Sequence, residues 1–280
     1  MKLFFLVSIS LFYTSLSSGQ QTDSIIVPLG IETKPASIYK MKYGLDIPLA
    51  AATTAWTLYG FTKIYGGDKT PEADILALNS NDLNSIDRST ANNYSEKSKA
   101  ASDKLFYGSM PAPLLLLFDK KIRRDGAKVG LLYLQAMAIT GTIYTSTSMV
   151  ARRFRPYTYN PNVEMGTRRG GGGRNSFPAG HPAVVATSTF FMVKVYTDYH
   201  PEMKNKWILY AVAGSASLAT GIMRIKAGQH FPTDVMTGIP LGILSGILVP
   251  HFHRNTKNSN LSILPYTVGK SNGLTAILKL

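Results

Sequence analysis

Four short clusters carry side chains suited to chemistry on a phosphate group: Arg155-Pro156, Pro178-Ala179-Gly180-His181, Arg224, and His230 with Asp234. A phosphoryl group in transfer spreads negative charge over its equatorial oxygens. A protein therefore acts on it chiefly by positioning and by supplying positive charge. Arg155 and Arg224 offer planar, permanently charged forks for those oxygens. Gly180 lets the backbone come close to an anion, and Arg152 is a further candidate for phosphate binding. Pro182 suits the first position of a helix, which places residues 179–181 at a helix N-terminus, where free N–H groups and the dipole attract anions. Pro232 does the same for a later helix and puts Asp234 in its first turn. Asp234 follows His230 by four residues, near enough to accept a hydrogen bond from one imidazole nitrogen. That bond fixes the tautomer and leaves the other nitrogen nucleophilic. His181 is then the acid that protonates the leaving oxygen.

These clusters need long elements to hold them. Six apolar runs, over 47–62, 105–118, 129–150, 182–193, 207–223 and 235–250, are longer than ordinary strands and rich in Ala, Leu, Gly and Met. They predict six helices and an all-α core. Small residues such as Gly214, Ser215, Ala216, Ser217 and Ala219 allow close helix packing. Residues 68–104 are polar and read as a cap or insertion with short helices. The tail alternates polar and apolar residues around Gly269 and Gly273, the pattern of a short hairpin.

At the four clusters the chain resembles the type 2 phosphatidic acid phosphatase (PAP2) superfamily, which includes bacterial class A acid phosphatases and vanadium haloperoxidases. The family pattern is Lys-x6-Arg-Pro, then Pro-Ser-Gly-His, then Ser-Arg-x5-His-x3-Asp. Arg155-Pro156, Pro178-x-Gly180-His181 and Arg224-x5-His230-x3-Asp234 match it in order. The resemblance spans roughly residues 105–250. It implies a six-helix core, attack by His230 to form a phosphohistidine that water hydrolyses, and no cofactor or metal. Three positions depart from the pattern: Ser148 stands at the lysine, and Ala179 and Met223 stand at the two serines. Losing a hydrogen bond to a charged group costs about 1.5–3 kcal/mol, which leaves room for reduced activity. If the third helix continued through its end, Ser148, Arg152 and Arg155 would form one stripe, and Arg152 would replace the lysine's charge. Arg168, Arg169 and Arg174 flank a glycine run that reads either as a lid over the substrate or as a solvated loop.

Composition narrows the partners. The 280 residues carry 30 Lys and Arg against 16 Asp and Glu, a formal charge of +14, which favours anionic partners. No nucleic-acid-binding motif is present, so the expected partner is a phosphate ester or a lipid phosphate rather than nucleic acid. The absence of cysteine excludes disulfides and thiolate metal sites. Lys2, the apolar run Leu3 to Phe12 and the small residues Ser17-Ser18-Gly19 form a secretory leader over 1–19. An extended arm over 20–40, a catalytic domain over 41–254 and a tail over 255–280 follow, with export to the cell envelope, in the periplasm or on the outer face of the inner membrane.

Membrane association stays open at this stage. A mean hydropathy of +0.02 is low for a multispanning protein, and a span needs about 20 apolar residues, which only the third run satisfies. The basic cluster Lys120, Lys121, Arg123, Arg124 and Lys128 belongs inside by the positive-inside rule. That placement and a cleaved leader conflict if all six helices cross, so a soluble or peripheral helical domain is the simplest expectation. The functions in competition are a phosphatase, a phosphate-binding homologue with a degenerate site, and a vanadium haloperoxidase.

Overall fold

The computed structural model describes residues 37–255 and the backbone of residues 261–268 and 271–278. The leader over 1–19 and most of the arm over 20–40 lie outside the described residues. In chain order the α-helices are α1 (Tyr43–Tyr65), α2 (Glu72–Leu76), α3 (Ser85–Arg88), α4 (Glu96–Ser109), α5 (Lys120–Arg123), α6 (Gly126–Ala151), α7 (Met165–Arg168), α8 (Gly180–Tyr199), α9 (Lys206–Lys226) and α10 (Pro232–His253). Strands β1 (Leu261–Val268) and β2 (Ser271–Leu278) form the antiparallel C-terminal hairpin. Helices α1, α6, α8, α9 and α10 correspond to five of the six apolar runs, α4 overlaps the start of the second, and the domain is all-α.

Two runs differ from their expected extent. The second run is not one helix. Pro111 and Pro113 break it, so α4 ends at Ser109 and a 3-10 segment covers Ala112–Phe118. In compensation α4 begins inside the polar stretch, where Ser95 caps it by accepting from Ser98 N. The fourth run is longer than its apolar core. α8 continues past Val193 because Lys194 and Asp198, one turn apart, form a buried ion pair at 2.5 Å. Tyr39 donates its hydroxyl to Asp198 as well. Tyr39 thereby anchors Ser37–Lys40, whose backbone pairs with the end of α10 through Lys40 N to His253 O and Asn255 N to Ile38 O. His200 and His253 bind Asp119 and Asp46 respectively.

Close helix packing decides the arrangement. Along α10, a Cβ on Gly238 would lie 2.3 Å from Ala179 O, one on Gly242 2.0 Å from Ala183 O, and one on Gly246 2.7 Å from Thr187 O. Each step of four on α10 meets a step of four on α8, so the two helices run parallel in fixed register with their N-termini side by side. Ala179 N donates to Asp234 O across that end. On α1 and α6, Gly60 meets Thr145 and Gly141 meets Thr57 in the same fashion, so these helices are also parallel. The starts of α8 and α10 and the ends of α6 and α9 therefore share one end of the bundle. The opposite end holds the main apolar core, with Leu116, Ile122, Leu132, Phe191 and Val195 buried together.

The outer surface departs from the expectation of a soluble or peripheral domain. Leu58 on α1 is 62% exposed, Val150 on α6 86%, Val212 on α9 63% and Met236 on α10 65%. By length and composition α9 and α10 are the described helices able to cross a membrane. The third run, now α6, is long enough but is diluted by Gln135, Thr140, Tyr144 and Thr145.

The glycine contact yields a stability test. Gly242→Ala forces a methyl group into the α8 backbone, and overpacking of this kind costs about 1–3 kcal/mol or more. Gly130→Ala on α6, where a Cβ meets nothing within 4 Å, is neutral or stabilises by up to about 1 kcal/mol. Thermal unfolding of the two variants in detergent, followed by circular dichroism, compares them directly.

Candidate active site

The end of the bundle where α8 and α10 begin gathers the clusters that were far apart in sequence. His230 sits in the short connection between α9 and α10 and is 1% exposed. Its Nδ1 lies 2.6 Å from the carbonyl oxygen of Ser176. A carbonyl only accepts, so Nδ1 carries the proton and Nε2 keeps its lone pair. The expected partner, Asp234, is not the acceptor. Asp234 Oδ2 instead accepts from Ser176 Oγ at 2.5 Å and from Phe231 N at 2.7 Å. The aspartate thus orients the histidine at one remove, by holding the residue whose carbonyl receives the imidazole proton. The Phe231 bond also caps α10 at its N-terminus.

Asp234 is tied into a buried ionic cluster. Arg153 donates to Asp234 Oδ1 at 2.5 Å and to Asp87 Oδ2 at 2.6 Å. Asp87 also accepts from Thr233 N, Thr233 Oγ1 and Asn84 Nδ2. Burial drives the Asp87 pKa up, but the bonds from Thr233, Arg153 and Asn84 outweigh it and hold the carboxyl below its ordinary value.

The two arginines converge as expected. Arg155 opens the 3-10 turn Pro156–Thr158, and its Nε donates to Asn175 Oδ1 at 2.8 Å. Its Nη1 donates to Gln229 Oε1, which also accepts from Arg224 Nη2 at 3.4 Å. Arg224, in the last turn of α9, donates through Nη1 to Asp103 Oδ1 at 3.0 Å. The same carboxylate oxygen lies 3.2 Å from Nε2 of His181, which occupies the first turn of α8 and stacks on Phe106 with ring centroids 4.1 Å apart. Asp103 therefore presents a carboxylate to both Arg224 and His181. Arg224 Nε and Asn175 Nδ2 are buried donors with no partner among the described residues.

Four expectations need correction. α6 ends at Ala151 and Arg152 has φ +42°, so Ser148, Arg152 and Arg155 do not share a helical stripe. Arg152 is exposed and lines a separate cavity, while its neighbour Arg153 turns inward. Gly180 is required by protein packing, since a Cβ there would lie 2.9 Å from the Tyr144 ring. The start of α8 is Gly180, so Pro182 stands in the first turn but not at its first position. The glycine-rich loop is folded, with Arg168 Nε bonded to Thr158 O and Arg169 Nε to Thr70 O. Arg168 thus serves the loop's own backbone, and Arg169 ties the loop to the segment before α2. At the lysine position, Ser148 Oγ donates to Phe177 O and ties α6 to the loop that carries Ser176.

Asp87, Asp103, Arg153, Asn175, Ser176 and Gln229 all join the site without having been singled out. Arg153, Asn175, Ser176 and Gln229 neighbour recognised motifs, and that adjacency was a usable signal. Asp87 and Asp103 lie in the polar stretch 68–104, where nothing marks them. Among the described residues no group of three or more His, Asp or Glu is arranged to hold a metal ion.

Burial first, and then the charges of Arg155 and Arg224, push the His230 pKa well below 6.5, against the opposing pull of the Ser176 carbonyl. The imidazole stays neutral and nucleophilic in mildly acidic solution. The unfolded chain takes up the corresponding proton first as pH falls. The stability contributed by neutral His230 is therefore present above about pH 6.5 and is lost below it. Denaturation midpoints at pH 7.5 and 5.5 should diverge more for the wild type than for His230→Asn. Arg153→Ala strands two buried carboxylates, and breaking such a pair costs about 3–5 kcal/mol. Exposed Arg152→Ala should stay within about 0.5 kcal/mol. Denaturant unfolding checks that contrast.

Comparison with known proteins agrees with these motifs. Residues 129–258 match the family described as the PAP2 superfamily. Phosphatidylglycerophosphatase B of Bacillus subtilis (strain 168) is 37% identical over 87 residues, a stretch that spans 29% of this chain and 41% of that protein. The chain thus matches less than half the length of that relative. The crystal structure of the first transmembrane PAP2 type phosphatidylglycerolphosphate phosphatase from Bacillus subtilis is 21% identical, with a TM-score of 0.46 over 74% of this chain and 94% of that one. The stretch that matches the PAP2 superfamily, residues 129–258, is the one that carries His181, Arg224, His230 and Asp234 at one end of its helices.

Proposed function

We propose that the chain is a phosphatase that hydrolyses phosphate monoesters or lipid phosphates and diphosphates through a phosphohistidine on His230. One observation carries this reading: His230 commits Nδ1–H to the Ser176 carbonyl and holds Nε2 as a free lone pair between two arginines. Nε2 attacks phosphorus, the bond from phosphorus to the leaving oxygen breaks, and His181 gives that oxygen its proton. Water then attacks the phosphorus as His181 takes its proton, the phosphorus–nitrogen bond to His230 breaks, and phosphate leaves. Arg155 and Arg224 balance the charge on the equatorial oxygens throughout. Burial, and then the charges of Arg224 and Arg155, push the His181 pKa down to about 2, and a phosphate dianion on the two arginines offsets their repulsion and favours the protonated imidazole that the first step needs.

The apolar outer faces of α1, α6, α9 and α10 support a bundle embedded in a membrane of the cell envelope, with the site at one end of its helices. An apolar slot of about 70 Å³ between Phe61, Tyr65, Phe106, Tyr144, His181 and Val184 suits the hydrocarbon next to a lipid phosphate. The leader over 1–19 supports export to the cell envelope.

The test is phosphate release from para-nitrophenyl phosphate and from a lipid phosphate in mixed micelles. His230→Ala should lower kcat by more than about a thousandfold, and acid-quenched wild type should retain labelled phosphate on histidine. A variant as active as the wild type removes the nucleophile assignment. Wild type that binds phosphate without turnover shows that Ser148, Ala179 and Met223 have left a binding protein. Halide oxidation that appears only with vanadate shows a haloperoxidase.

A further inference from the structure

Beside the cradle lies a larger cavity, of about 590 Å³, at the ends of α1 and α6. Its wall carries four cations, Lys63, Lys69, Arg152 and Arg174, against one acid, Asp68. Among the described residues none of the four cations forms an ion pair, although several other basic side chains of this domain do. Lys63 rests over the Tyr59 ring, and Arg174 stacks on Phe154. Arg174 Nε is buried with no partner, as is Nδ2 of Asn175, which is itself 2% exposed and lines the same cavity.

Two residues connect this cavity to the reacting centre. Asn175 lines the cavity while its Oδ1 accepts from Arg155 Nε. Ser148 lines it too, while its Oγ holds the loop whose Ser176 orients His230. A group bound in the cavity thus shares a wall with the phosphate on Arg155. The left-handed turn at Arg152 directs that arginine to the cavity wall and away from the helical stripe that would have led it to the cradle. Positive charge missing at position 148 is instead gathered next door.

We propose that the cavity is a second anion subsite, which receives another phosphate or comparable anionic group of the same substrate while the terminal phosphate occupies the cradle. The inference rests on the reading of the cradle as the seat of the reacting phosphate, and it selects substrates with two anionic groups over simple monoesters. Unpaired cations with a Gln- or Asn-type donor beside them bind phosphate oxygens by charge-assisted hydrogen bonds. The second anion belongs either to a diphosphate or to a headgroup carrying a separate phosphate, and the chemistry of recognition is the same.

Farnesyl diphosphate and farnesyl monophosphate share one tail and differ by one phosphate, so they isolate the subsite. Full-length protein in neutral detergent should turn over the diphosphate with a higher kcat/KM. The double variant Lys63→Gln, Lys69→Gln, altered at exposed positions outside the cradle, should lose about five- to tenfold in kcat/KM for the diphosphate and less than about twofold for the monophosphate. Equal losses for both substrates, or none for either, overturn the subsite. Bisphosphorylated glycerolipid in place of the prenyl diphosphate tells whether a separate headgroup phosphate is accepted as well. If the wild type releases no phosphate from any of these, the phosphatase reading fails and calorimetry decides the subsite alone. Inorganic pyrophosphate binding tighter than phosphate, and weakened selectively by the double variant, sustains it. Equal pyrophosphate affinity in wild type and variant overturns it.

Discussion

The bundle depends on the close, parallel approach of α8 and α10. Three glycines spaced by four residues let the backbone of one helix lie against the carbonyls of the other, an approach that any side chain at Gly242 would block. Because the register is constant, the N-termini of both helices are brought level, and the hydrogen bond from Ala179 to Asp234 closes that end. Two helix N-termini then face the same small volume, and their dipoles add positive potential to that of Arg155 and Arg224. His181 and His230 owe their proximity to this contact, since each lies within a turn of one of the two helix starts.

The second determinant is ionic. Asp87, Arg153 and Asp234 form a chain of alternating charge that joins the polar stretch before α4 to the start of α10. Desolvating such charges is costly, and the cost is offset only when nearly every lone pair and proton finds a partner. Asp87 and Asp234 meet that condition through Asn84, Thr233, Ser176 and the Phe231 backbone. The network does more than stabilise. By holding Ser176 in place it fixes the carbonyl that receives the His230 proton, so a structural ion cluster governs the tautomer of the reactive imidazole.

What could be read in the sequence, and what could not, follows from the range of the forces involved. Six apolar runs translate into helices because periodic burial is written locally. Arg155, Arg224, His181 and His230 stand out because each lies beside a Pro, a Gly or a fixed spacing. Asp103 and Asp87 have no such neighbours, and their importance comes chiefly from tertiary contacts to residues far along the chain, such as Arg224 and Thr233. Arg152 was misplaced because the spacing assumed a helix that continues, whereas one left-handed residue ends it. The acceptor for His230 was misplaced for a related reason: four residues separate it from Asp234, but the chain between them is a cap and not a helical turn. The apolar outer faces of the helices were hidden in the average hydropathy, because charged loops dilute them.

Asp103 adds a consequence for selectivity among anions. Its carboxylate pairs with Arg224 and lies 3.2 Å from His181 Nε2, so on the proposed reading of the cradle a tethered competitor occupies it before any ligand arrives. A tether gives that competitor a high local concentration. Chloride or acetate, with one charge and few acceptors, gains little by replacing it. A phosphate dianion brings more charge and three oxygens arranged for two guanidinium forks. The cradle thereby discriminates by valence and geometry in salt-rich surroundings, where a bare pair of arginines would be filled by the most abundant ion.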